Sequence, residues 1–142
     1  MTGSISNHEL CILNTECGRF SHASIKEIEK LGDVTHVEAD RDYLLKNIAD
    51  YDVIVICIKN TIDREILELA KKLKVIVTPT TGVNHIDLIA AKEYQVKILS
   101  LKGEVDFLRT VSSTAEHTWG LLLCLQRKIC LAHNHVLNGF WN

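Results

Sequence analysis

The run Val75-Ile76-Val77-Thr78, followed by Thr80-Thr81-Gly82-Val83-Asn84-His85-Ile86-Asp87-Leu88, decides how this chain folds. An unbroken β-branched run has no polar face, which suits a parallel strand covered on both sides. From Asp87 to Tyr94 apolar residues recur at helical spacing among Lys and Glu, so a buried strand must turn into a helix within the loop between. The same alternation extends in both directions. Residues 10–13, 34–38, 53–58 and 96–99 read as strands, and 24–31, 42–48 and 63–73 read as helices. Gly32 is placed to cap the C-terminus of the first helix.

The order βαβαβαβαβ with right-handed crossovers gives a three-layer α/β sandwich of the flavodoxin-like kind. Its simplest form is an open, parallel, five-stranded sheet in the order 2-1-3-4-5. After the fifth strand the pattern changes. Residues 100–110 are polar and mixed, and from Ser113 a helix runs through Trp119, Leu121, Leu122, Leu123 and Leu125 to about Lys128. Ser113 and Glu116 have the spacing of a capping box. This helix is apolar on more than one side, which predicts burial against a partner subunit or a further segment, most simply as a homodimer through residues 113–128. A short helix follows to Asn138, with Gly139 ending it. The expected division is residues 1–110 as the sandwich domain and 111–142 as a helical segment leading into another domain.

A chain of 142 residues matches the size of one domain and can bury roughly two-thirds of its unfolded surface. With 46% hydrophobic residues and a formal charge of −2, the composition favours neither disorder nor a polyanion-binding surface, so nucleic acid is not an expected partner. No apolar run approaches the length of a spanning helix, and the polar start, Met1 to Asn7, does not read as a signal peptide. The expectation is a cytoplasmic protein with no membrane partner. The five cysteines, an odd number with no CxxC pair, argue against a disulfide framework and are expected as reduced thiols.

In such a sheet, chemistry gathers at the carboxyl ends of the strands beside the reversal of strand order. Three loops lie there: residues 14–19, the Lys59-Asn60-Thr61 turn, and residues 80–87. Gly82 lacks a Cβ, so the amides of Thr81, Gly82 and Val83 can converge on an anion such as a carboxylate, with Lys59 adding positive charge. The plainer reading is that Gly82 permits a turn, Asp87 caps a helix and Lys59 is solvated.

Together these residues resemble the D-isomer-specific 2-hydroxyacid dehydrogenases, the NAD-dependent family that includes D-3-phosphoglycerate dehydrogenase. The segment from Thr81 to Ala91 is similar to the family's Gly, Val, Asp, Asn, Ile, Asp, Leu motif. Ser113-Thr114-Ala115-Glu116-His117-Thr118 resembles its Ser, any, Ala, Glu, His, Thr segment, and Gly139-Phe140-Trp141 its Gly, Lys, Trp. The resemblance runs from about Val53 to Asn142. It implies that the amides of Thr81, Gly82 and Val83 hold the substrate carboxylate, that Lys59 and Asn60 line the substrate cleft, that Thr81 touches the NAD cofactor, and that Thr110 and Thr114 lie near its nicotinamide. It also implies that the catalytic Arg, Glu and His, with the Rossmann domain and its GxGxxG fingerprint, lie beyond this chain, which alone is then inactive and truncated before that fingerprint. The substrate would be a small 2-hydroxy or 2-keto acid.

Thr80 stands where the family has glycine, Asn84 where it commonly has Asp, and the segment 100–112 is longer than usual, so the particular acid is open. His85 and His117 invite assignment as catalytic bases, but each sits at the start of a helix, where it has a structural use. Cys130, His133 and His135 do not share one helix face and lack a fourth ligand, so no metal is expected. A phosphoreceiver domain would need an Asp where Cys57, Ile58 and Lys59 end the third strand. A flavin module would need a richer hydroxyl and glycine loop than residues 14–21 offer. A non-catalytic, stand-alone ligand-binding or dimerisation domain of the same fold is the alternative.

Overall fold

The computed structural model describes residues 9–140. The polar start and Trp141 lie outside them. The chain divides into two compact units, Met1–Gly103 and Glu104–Asn142.

In the first unit, β1 (Leu10–Asn14), β2 (Gly32–His36), β3 (Val53–Val55), β4 (Val75–Thr78) and β5 (Lys97–Ser100) form one sheet in the order β2-β1-β3-β4-β5. Every pairing is parallel, as the strand patterns require. Helices α1 (His22–Glu29), α2 (Arg41–Asn47), α3 (Arg64–Leu69) and α4 (Leu88–Glu93) make the crossovers. Each begins on a side chain that accepts from the first turn: Ser21 from the Ser24 amide, Asp40 from Tyr43, Asp63 from Ile66, and Asp87 from both Ile89 and Ala90. The strand-to-helix junctions are therefore fixed by short polar residues at the carboxyl edge of the sheet.

The two faces of the sheet are covered unequally. Leu13, Ile54, Ile56 and Ile76 pack with Leu44, Ile66, Leu67, Ala90 and Ala91 from α2, α3 and α4 into the main core. On the opposite face Ile12, Val53, Val55, Val77 and Leu99 border a groove of about 720 Å³, flanked by Phe20 and by Ile28 and Leu31 at the α1 end.

Gly32 does not cap α1. Lys30 follows that helix in right-handed geometry, and Gly32 opens β2 opposite Leu10. A Cβ on Gly32 would lie 2.2 Å from the Leu10 carbonyl oxygen, so close strand approach explains the glycine. α3 is shorter than the expected 63–73, because Ala70 leaves helical geometry (ψ 61°).

The second unit contains α5 (Val105–Leu108), α6 (Ser113–Gln126) and α7 (Ile129–Leu137). The expected Ser113–Glu116 capping box is absent. Ser112 flanks the helix in right-handed geometry, no side chain caps the first turn, and the Ser112 hydroxyl donates to Glu116 Oε1 at 2.6 Å instead. α6 stops short of Lys128, which adopts the left-handed conformation at φ 51° and breaks the rod. Gly139, at φ 81°, ends α7 as the sequence predicts. Among the described residues no helix is long and apolar enough to cross a membrane.

Candidate functional site

Loops from β1, β3 and β4 meet at the carboxyl edge of the sheet. The last two are joined by backbone hydrogen bonds: Ile62 N–H donates to His85 O at 2.8 Å, and Asp87 N–H donates to Ile62 O at 2.8 Å. The β3–α3 and β4–α4 loops thus form one continuous rim.

Within the β4–α4 loop a chain of hydroxyls sets the backbone. Thr80 Oγ1 donates to the Gly82 carbonyl at 2.7 Å, and so accepts from Thr78 Oγ1 at 2.9 Å. Thr78, itself buried, lies 3.5 Å from His85 Nε2. Burial pushes the His85 pKa below its ordinary value, opposed by the negative charge of Glu16. A neutral ring that donates from Nε2 to Thr78 fits this chain.

The amides of Thr81, Gly82 and Val83 have no acceptor among the described residues, and Thr81 and Gly82 are exposed. A Cβ on Gly82 would meet nothing within 4 Å. Neither the turn nor a neighbouring side chain calls for glycine there. The open space matters only to something approaching from outside.

The other predicted residues are placed differently. Lys59 directs its ammonium to Glu38, at 3.6 Å from Oε2. Asn60 is buried, donating to the Ala39 carbonyl at 3.3 Å. Both border a recess of about 310 Å³ completed by Asp40, Arg41 and Thr61, which residues 81–83 do not line. The structure joins their loop to the β4–α4 loop by backbone bonds. Thr110 and Thr114 belong to the second unit, where Thr110 Oγ1 donates to Phe107 O at 2.7 Å and Thr114 occupies the first turn of α6.

Glu16 is the residue whose role the pattern did not reveal. Its side chain is fully buried, and Oε1 accepts from the Cys57 amide at 2.9 Å and the Lys59 amide at 3.2 Å. Oε2 lies 3.1 Å from Arg19 Nε. Glu38 completes the bracket: Oε1 accepts from the Gly18 amide at 2.8 Å, and that bond is the main cause of its lowered pKa. Two carboxylates therefore tie the β1 loop to its neighbours. The available signal was a carboxylate two residues after β1, at the point where strand order reverses. Among the described residues no three His, Cys, Asp or Glu side chains are grouped to hold a metal.

The family described as D-isomer specific 2-hydroxyacid dehydrogenase, catalytic domain, matches residues 12–134. The chain belongs to this family. Within it, D-3-phosphoglycerate dehydrogenase of Archaeoglobus fulgidus is 33% identical over 101 residues, covering 71% of this chain and 18% of that protein. Glyoxylate reductase of Thermofilum pendens is 32% identical over 102 residues, covering 72% and 29%. Among solved structures, the TT0316 protein of Thermus thermophilus superposes with a TM-score of 0.78 at 26% identity, covering 94% of this chain and 42% of that one. An NAD-dependent formate dehydrogenase of Staphylococcus aureus, solved with NAD, shares the fold at a TM-score of 0.70 and 24% identity over 93% of this chain and 43% of its own. The chain spans only 18% and 29% of the two curated relatives named here. The fold and sheet order of the family are those of the first unit.

Proposed function

We propose that this chain is the substrate-binding part of an NAD-dependent oxidoreductase, D-3-phosphoglycerate dehydrogenase-like, that interconverts a D-2-hydroxy acid and a 2-keto acid. The observation that carries the reading is the run of free amides at Thr81, Gly82 and Val83, held by the Thr80 hydroxyl beside a glycine that the chain itself does not need. Consecutive unpaired N–H groups form a natural seat for a carboxylate. Family membership supports the chemistry.

In the complete protein Thr81 would touch the NAD cofactor, Thr110 and Thr114 would lie near its nicotinamide, Lys59 and Asn60 would border the substrate, and the catalytic Arg, Glu and His would come from the Rossmann-domain portion. The setting is cytoplasmic, and residues 113–128 make a homodimer contact. The isolated chain has no turnover. The alternative, a non-catalytic ligand-binding or dimerisation domain, predicts the same anion seat without a catalytic partner.

Titration of the isotope-labelled chain with pyruvate, followed by amide NMR, tests the seat. Saturable shifts should centre on residues 80–85 and vanish in Gly82→Ala. Because a Cβ there is unobstructed, that variant should keep its melting temperature or gain up to about 1 kcal/mol. Shifts scattered away from the loop, or binding unchanged by the extra methyl, would remove the proposal. With NADH and a panel of 2-keto acids the chain should consume nothing above blank.

A further inference from the structure

The break between α6 and α7 brings two thiols together. Cys124 lies in the last turns of α6 and Cys130 at the start of α7, and their sulfurs are 3.3 Å apart. The turn between them contains Arg127 and the left-handed Lys128, which folds α7 back far enough for residues six apart to meet. Cys11, Cys17 and Cys57 belong to the other unit, and no other cysteine pair is hydrogen-bonded among the described residues. From His117 to Phe140 the sequence contains Arg127 and Lys128 but neither Asp nor Glu.

We propose that Cys124 and Cys130 are a reversible disulfide site that locks the turn between α6 and α7. A disulfide needs sulfurs about 2.05 Å apart, so the pair must close by only about 1.2 Å. A small-molecule disulfide supplies the oxidant. One protein thiolate attacks it, releasing a small thiol and leaving a mixed disulfide. The second protein thiolate then attacks the protein-bound sulfur and releases the other small thiol. Two protein thiols lose two electrons and two protons, and the reagent disulfide is reduced to two thiols. The hydrogen bond from Cys124 raises the Cys130 pKa, which slows the first attack without changing the product.

The 142-residue chain, incubated with oxidised glutathione and quenched with an alkylating agent, gives the test. Peptide mapping should show residues 124 and 130 joined in one cross-link that dithiothreitol reverses, while Cys11, Cys17 and Cys57 are alkylated or carry single adducts. Cys124→Ser and Cys124→Ala should each stop at a glutathione adduct on Cys130. Tryptic cleavage after Arg127 and Lys128 should slow on the order of tenfold in the oxidised chain, since a locked turn opens less often. Separate glutathione adducts on Cys124 and Cys130 in the unaltered chain would overturn the site. Equal cleavage rates in the reduced and oxidised forms would overturn the lock.

Discussion

Glu16 and His85 show how much at this site depends on single side chains. Glu16 accepts two backbone N–H groups while fully buried, so truncation to Ala leaves both amides without an acceptor inside the protein. Hydrogen bonds to a charged group, together with the penalty for stranded donors, put the cost at about 3 kcal/mol, readable by urea denaturation. Glu16→Gln keeps an acceptor and should cost less than half of that. His85 makes a separate prediction about pH. Its folded-state pKa lies below the ordinary 6.5, so the unfolded chain takes up the proton first as pH falls. Above 6.5 both states are neutral, and nothing is gained or lost. Below it the folded state loses stability until its own lower pKa is passed. Melting temperature should therefore decline from neutral pH toward about pH 5, and His85→Asn should flatten that part of the curve. An identical slope in the variant would remove His85 from the account.

Among the elements, the first crossover separates what pattern can predict from what it cannot. Ser21 opens α1 by accepting from the Ser24 amide, but the helix ends without a glycine. Gly32 instead lets β2 approach β1, and Gly32→Ala should cost about 2 kcal/mol through displacement of the edge strand. Guanidinium denaturation of that variant measures the loss; a change within error would mean that Leu10 moves aside freely. At α6 a similar misreading arises from two adjacent serines. Ser113 has the capping-box spacing, yet the helix begins so that Ser112 flanks it and reaches Glu116 from outside. Local sequence does not distinguish between neighbouring registers when both offer a hydroxyl. The tertiary path of residues 104–112 makes the choice.

Across the molecule, apolar side chains remain exposed in both units. The groove beside Ile12, Val55, Val77 and Leu99 opens along one face of the sheet, where Ile12 and Val55 are buried and Leu99 is exposed. In the second unit Trp119, Leu121, Leu122, Leu123 and Leu125 are all at least half exposed. Apolar area of this kind favours association, at roughly 25 cal/mol for each Å² removed from water. The 16.0 kDa chain should therefore self-associate at micromolar concentrations, and light scattering measures its mass directly. Charged substitution at Leu121 and Leu125 should shift the population toward monomer if helix 113–128 is the contact. A monomer at every concentration would contradict that arrangement.

Sequence alone determined the alternation of strand and helix, the parallel sheet in the order 2-1-3-4-5, and the aspartate start of α4. Those features follow from periodicity and from short-range hydrogen bonds, which are written along the chain. Only the tertiary structure decided that Glu16 fastens a loop 41 residues away, that Lys59 turns toward Glu38, and that Thr78 reaches back toward His85. It also decided that the Cys124 and Cys130 sulfurs meet across a helix break. The physical reason is that these contacts depend on how side chains turn at the strand ends and where a helix turns back, and neither is encoded in the spacing of the residues that finally touch.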